Sequence, residues 1–320
     1  MKFRKAVVAA LMLLSFGLST GRVFAAEDSE DKTPVITLGD SLSDSQRTET
    51  LDTLKSALSD STSYNTLTVT GSDLVTYLNP SGSTFTSDSG VWSSAAIEKT
   101  SSGSGVNVKV LDYDGQNNIT SITPDQYRNA ALTAGIKDAN VYVTSAKPID
   151  GSGALAGIYK AYAKSGNKLN QKQITAAQDE LNTLSGINGE NNGKDGYSDA
   201  QLNNAVAGAK KAMAGQGSGL SKEAIEQIVD DELRKNGLGN ALTDGQKQQI
   251  INLLVEIEKS GALSSPSFQQ QVGQVMNAIQ NHSDEIKGVF NKLNTAENRN
   301  ALQKLWDAIV EFLSSIRLSN

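Results

Sequence analysis

The chain has no cysteine, one histidine and five prolines, and only 5% of its residues are aromatic. Without cysteine there is no disulfide framework, no thiol nucleophile and no thioether-linked lipid anchor. With His282 as the single imidazole and no thiolate, the Cys- and His-based ligand sets of structural and catalytic zinc sites are out of reach. The scarcity of aromatics argues against a stacked sugar-binding platform. Positive charge is also in deficit: 29 Lys and Arg face 35 Asp and Glu, a net charge of −6. An acidic chain with no dense basic run after residue 26 is a poor partner for nucleic acid or anionic lipid, which are bound through Lys/Arg clusters.

Long apolar runs are missing as well. The longest begins at the N-terminus, where Lys2, Arg4 and Lys5 precede an apolar stretch from Ala6 to Leu18. Gly17, Ser19, Thr20, Gly21 and Arg22 cut it well short of the roughly 20 residues that a membrane span needs. Val23-Phe24-Ala25 then precedes Ala26-Glu27-Asp28. A basic start, a short apolar core and small residues at a cleavage site make a secretory signal peptide over residues 1–25, cut between Ala25 and Ala26. Removing it takes four cations and moves the net charge from −6 to −10. The apolar stretch Leu305 to Ile316 carries Asp307 and Glu311 and is too short to span. The mature chain is therefore expected outside the cytoplasm, with no membrane span. Its roughly 295 residues are enough to bury one or two cores without disulfides.

Periodicity divides this mature chain. Residues 26–34 read as a disordered lead-in. Val35-Ile36-Thr37-Leu38 reads as a strand, and Ser43 with Gln46 as a capping box opening a helix over 43–59. Leu67 to Thr70 is strand-like, and a short helix ends near Leu78. The Ser/Gly/Thr-rich stretch 79–105 reads as an irregular excursion with a short helix at 92–99. Val106, Val108 and Val110 alternate as a strand with one buried face. Thr123-Pro124-Asp125 starts a helix that Gly135 ends. Val141-Tyr142-Val143 is a further strand, and Gly151-Ser152-Gly153 leads into an Ala-rich helix. From 168 onward the pattern is helical, with candidates at 170–184, 198–214, 221–235, 243–260, 266–281, 283–293 and 296–316. The expected architecture is an α/β (α+β) N-terminal region followed by an all-α helical C-terminal region. Its expected segments are an α/β domain over 35–185, a helical extension over 186–214, a flexible joint at 215–219 and a helical region over 220–320.

Two motifs invite chemistry. Gly39-Asp40-Ser41-Leu42, between a strand and a helix, resembles the nucleophile block of GDSL esterases, and helix N-terminal amides there suit an oxyanion. A serine nucleophile needs a base. His282 is the sole imidazole, but Ile279 stands where that family has an aspartate, and the further blocks of the family are not convincing. A tight turn with Ser43 as helix cap explains the same letters. Ser165-Gly166-Asn167-Lys168 has Ser-x-x-Lys spacing, yet lies in a Gly/Asn loop. The second motif is Asn188, Glu190, Asn192, Gly193 and Asp199, which echo an EF-hand calcium loop. Position one is neutral and position twelve offers Asp in place of bidentate Glu, so an Asn/Gly-rich connector is the competing account. No cofactor fingerprint is present.

Several ordered stretches carry a wider likeness: Val35 to Leu42 with Gln46-Arg47, Asn118-Ile119-Thr120 with Ile122-Thr123 and Tyr127, and Thr133-Ala134-Gly135-Ile136-Lys137-Asp138-Ala139-Asn140-Val141. It continues through Pro148 to Gly151-Ser152-Gly153-Ala154-Leu155-Ala156-Gly157-Ile158. Together they resemble domain of unknown function 1002 (DUF1002), the YpuA-like exported bacterial proteins, over about half the chain. The Asp40-Ser41 pair, the 79–105 stretch and the tail after 215 depart from that pattern. The resemblance implies export, an α/β N-terminal region and a helical remainder, and it assigns no catalytic residue. The expectation is a non-enzymatic extracellular or cell-envelope interaction module that binds an envelope or extracellular protein. A serine esterase using Ser41 and a calcium module at 188–199 are the alternatives.

Overall fold

A computed structural model describes residues 32–283. The signal peptide expected over residues 1–25, and the helices expected at 283–293 and 296–316, lie outside the described residues, apart from Ser283.

Five strands form one mixed sheet: β1 (Val35–Gly39), β2 (Asn65–Val69), β3 (Ser93–Lys99), β4 (Val106–Val110) and β5 (Ala139–Ser145). Their order across the sheet is β2-β1-β3-β5-β4. The β1/β2 and β4/β5 pairs are parallel, whereas β3 runs antiparallel to both its neighbours. Helices α1 (Asp44–Ala57), α2 (Gly71–Leu78), α3 (Pro124–Thr133) and α4 (Ser152–Lys164) connect and cover the strands. Helices α5 (Gln171–Asn191), α6 (Asp199–Gln216), α7 (Lys222–Lys235), α8 (Asp244–Lys259) and α9 (Pro266–His282) follow. An α/β region followed by a helical one is the architecture expected.

The two sheet faces are covered unequally. One buries Val35, Ala95, Ile97, Val108, Val141 and Val143 against α2, α3, α4 and the first half of α5. The other packs Ile36, Leu38 and Ala96 on Leu54 and Leu58 at α1. Helix α1 packs against β1, β3 and β5 and leaves Asn107 and Lys109 of β4 exposed. Leu132, Leu184, Val206, Val229, Leu254 and Val275 belong to a second core, built mainly by α5 to α9.

The main departure from sequence expectation is β3. Residues 93–99 are not a helix within an irregular excursion but the central strand, paired along its whole length with β5. Ser93-Ser94-Ala95-Ala96 lacks the β-branched bulk that marks a strand, and Ala favours helix. Tertiary packing overrides that preference. Helix α4 crosses so close that a Cβ on Gly157 would lie 2.4 Å from Thr37 Oγ1, and one on Gly153 2.7 Å from Ser93 Oγ. Small residues are what that approach admits. Ser93 Oγ also accepts the Ala154 N–H at 2.9 Å, tying β3 to α4.

Three other bounds shift. Pro34, expected in the lead-in, is buried, and its carbonyl accepts the Asn65 N–H. Helix α5 continues without a break across residue 185 and ends at Asn191. Helix α6 runs through Gly215 and Gln216, so only Gly217 to Gly219 of the expected joint lie outside it. The capping boxes at Ser43/Gln46 and Thr123/Gln126 are both formed.

Candidate functional site

Ser41 follows β1 at the corner between strand and α1, as expected. Its hydroxyl donates to Asp40 Oδ1 at 3.0 Å and accepts the Val91 N–H at 2.9 Å. Its own N–H donates to the Val91 carbonyl. Gly39 is required for this approach, since a Cβ there would lie 2.2 Å from the Val91 carbonyl oxygen. Gly39 and Ser41 therefore latch the end of β1 to the segment that enters β3. His282 is the last residue of α9, and its side chain lies outside the described residues, as do Asp284 and Glu285. Helix α9 packs on α6 and α3 and meets the sheet at β4, which β3 and β5 separate from β1.

The calcium candidates are dispersed over two helices. Asn188 and Glu190 belong to the last turn of α5, Asn192 is its C-cap, and Asp199 opens α6. Glu190 accepts from Gln246 Nε2 at 2.7 Å, and the Asn188 amide oxygen accepts from the Tyr197 hydroxyl. Asp199 faces α3, where it accepts from Thr123 Oγ1 at 2.6 Å and Gln126 Nε2 at 2.8 Å. Among the described residues no group of three His, Cys, Asp or Glu side chains is placed to hold a metal ion.

Two polar clusters on α3 were not visible in the sequence. The first is sealed in the core. Lys210 and Glu180 have side chains with no solvent exposure and pair at 2.7 Å. Lys210 Nζ also donates to the Asn129 carbonyl at 3.2 Å and Thr133 Oγ1 at 3.1 Å. Thr133 Oγ1 in turn donates to Glu180 Oε2 at 2.5 Å. The ammonium's three donors thus meet three acceptors, as a buried cation requires. Burial lowers the Lys210 pKa, and Glu180 opposes that shift. Asn129 Nδ2 extends the network to Asn203 at 3.0 Å.

The second cluster borders a groove of about 570 Å³ along β4. Residues 107–110 form its floor, Asn140 and Tyr142 extend it over the sheet, and Thr123, Pro124, Asp125, Arg128 and Asp199 form the far wall. Arg128 pairs with Asp125, yet its Nε is buried without a hydrogen-bond partner. Burial is the main reason that the Asp199 carboxyl is pushed up to about 6. Asp125 adds to the rise, while the bonds from Thr123, Gln126 and Asn203 restrain it. The alternating valines of β4 were legible; the wall was not, because Asp125 and Asp199 meet only through the packing of α6 on α3.

The family model for proteins of unknown function DUF1002 matches residues 38–275, which takes in the sheet apart from the first residues of β1, the latch and both polar clusters. The chain belongs to the DUF1002 family. It is similar to the uncharacterized protein YpuA of Bacillus subtilis (strain 168), at 31% identity over 283 residues covering 88% of each chain. No solved structure matches the chain. For this DUF1002 protein the resemblance read from the sequence therefore holds, and it carries no assigned chemistry. No helix among the described residues is long and apolar enough to cross a membrane.

Proposed function

We propose that this DUF1002 protein is an exported, non-catalytic interaction module that works at the bacterial cell envelope or outside the cell. The groove along β4 carries the reading. It offers a strand edge and a mixed polar and apolar wall, features that bind chains. Export rests on the basic, apolar and small-residue pattern of residues 1–26. The Ser41 hydroxyl supports the non-catalytic part, being engaged by the Val91 N–H and Asp40 in a latch between two segments of backbone.

Two measurements test it. The mature protein and its Ser41→Ala variant are compared on short- and medium-chain nitrophenyl esters. Equal, background-level turnover in both is expected; turnover lost in the variant would overturn the non-catalytic reading in favour of the esterase. The full chain is also expressed in a bacterium with a single membrane and its exported form weighed intact. A chain beginning at Ala26 is expected, and retention of residues 1–25 on a cytoplasmic product would overturn export.

A further inference from the structure

The two edges of the sheet are treated differently. In β2, at one edge, the parallel ladder to β1 uses the backbone groups of Asn65 and Val69, so Thr66 and Thr68 face outward. That edge is guarded. Lys160 Nζ donates to the Thr68 carbonyl at 2.9 Å and pairs with Asp73 at 2.8 Å, and Arg47 reaches Thr68 Oγ1. Cationic side chains laid over a strand edge are a standard protection against pairing with another chain.

In β4, at the other edge, the Gly105 carbonyl accepts the Ala139 N–H and the Leu111 N–H donates to the Val143 carbonyl. Odd-numbered residues therefore spend their backbone groups on β5, and Val108 and Val110 turn theirs outward. Those groups have no partner among the described residues. Helix α9 meets β4, and its Gln274 reaches the turn ahead of the strand, donating to the Gly103 carbonyl and lying beside Gly105. From Asn107 to Val110 the edge is the floor of the groove.

We infer that the open edge of β4 accepts an extended peptide segment of a partner protein, with apolar and acidic residues in alternation, as a sixth strand. The inference rests on the interaction-module reading and names its site. Side chains of an added strand alternate between two sides. One side meets Val108, Val110 and Pro124, with the Asp125 and Asp199 carboxylates beyond, so apolar residues fit there and acidic ones are repelled. The other side lies over the exposed row of Asn107 and Lys109. Lys109 has no ion-pair partner among the described residues, and an acidic residue opposite it on the added strand would complete a cross-strand pair.

The test uses two capped pentapeptides, Val-Glu-Val-Glu-Val and Val-Lys-Val-Lys-Val, titrated into the mature protein while amide exchange is followed by NMR. The glutamate peptide is expected to slow exchange at Val108 and Val110, and to bind about threefold more tightly than the lysine peptide, the worth of one cross-strand charge pair. The Lys109→Glu variant, altered at an exposed position, is expected to reverse that preference. Absence of protection with both peptides would overturn the site, and would leave Lys109 as a guard of its own edge. Protection by both peptides with no reversal in the variant would overturn the acidic partner. Protection that rises with protein concentration in the absence of peptide would replace the partner by a second copy of this chain. None of these outcomes bears on ester hydrolysis or on export, so failure at the β4 edge would remove the groove's support for the interaction role and leave the exported, non-catalytic parts of the reading to their own tests.

Discussion

Helix α3 carries one polar cluster in its N-terminal turns and another in its C-terminal half, and they differ in how completely their charged groups are satisfied. Around Lys210 and Glu180 every proton of the ammonium has an acceptor and both side chains are sealed from water. Around Asp199 and Arg128 a carboxyl is held with a raised pKa and a guanidinium nitrogen has no partner, beside an open groove. The same helix thus shows charge used to join elements and charge left with unused capacity. Burying an ion pair is costly, so a sealed pair persists only where its bonding is complete. Incomplete bonding at the edge of a groove is where a ligand has something to add.

Breaking the sealed cluster should produce the largest effect. Glu180→Ala leaves Lys210 buried without its counter-charge and should cost about 3–5 kcal/mol, read from urea unfolding midpoints. The double variant Glu180→Leu with Lys210→Met should recover most of that loss, because two apolar groups need no partners. If it is as unstable as the single variant, the pair is not the source of the effect. Thr133→Val removes one donor from Glu180 Oε2 and one acceptor from Lys210, and should cost about 1–3 kcal/mol.

A smaller effect is expected at the open cluster, and there the sign depends on pH. The folded-state pKa of Asp199 lies above its ordinary value of 3.8, so native packing favours the protonated form. The wild type should therefore gain stability as pH falls from 7 through about 6 toward 4. Asp179 is also pushed up to about 6, by burial and by Glu256 across the α5/α8 contact, and acts in the same direction. Asp199→Asn should flatten part of that slope, and the double variant with Asp179→Asn should flatten more of it, as measured by thermal melts at pH 7, 6 and 5. A slope unchanged by either would show that other carboxyls set it. The smallest change is expected from Ser41→Ala, about 1 kcal/mol for the lost latch bonds, with fold and pH slope retained.

Much of the architecture could be read from local pattern. The capping boxes, the valine alternation at 106–110 and the Pro-led start of α3 are local signals, and each reports a local event. Residues 93–99 are informative in the opposite way, because only the proximity of α4 makes Ser-Ser-Ala-Ala a strand. The sites were less legible. Gly39-Asp40-Ser41 stood out as a motif, but its letters are explained by a close backbone approach at Val91, 50 residues away. Lys210 stands beside Lys211 in an Ala-rich helix, and nothing in that neighbourhood distinguishes the sealed lysine from the solvated one. Its partners Glu180 and Thr133 lie 30 and 77 residues away along the chain. Whether β4 has a neighbour on both sides is a property of the strand order, which alternation does not encode.

Helix α5 adds a consequence for the order in which the protein takes shape. Ile174, Ala177 and Leu181 belong to the core beneath the sheet, while Ala176, Leu184 and Ile187 belong to the core of the later helices. At about 1.5 Å per residue, its 21 residues make a rod of roughly 31 Å shared by both cores. A chain synthesised from its N-terminus can pair its strands once β5 has emerged, but it cannot close the covered face until α5 arrives. The same rod then gives the remaining helices a surface on which to assemble. Maturation should therefore resemble the setting of a keystone, in which neither side is finished before the shared piece is in place.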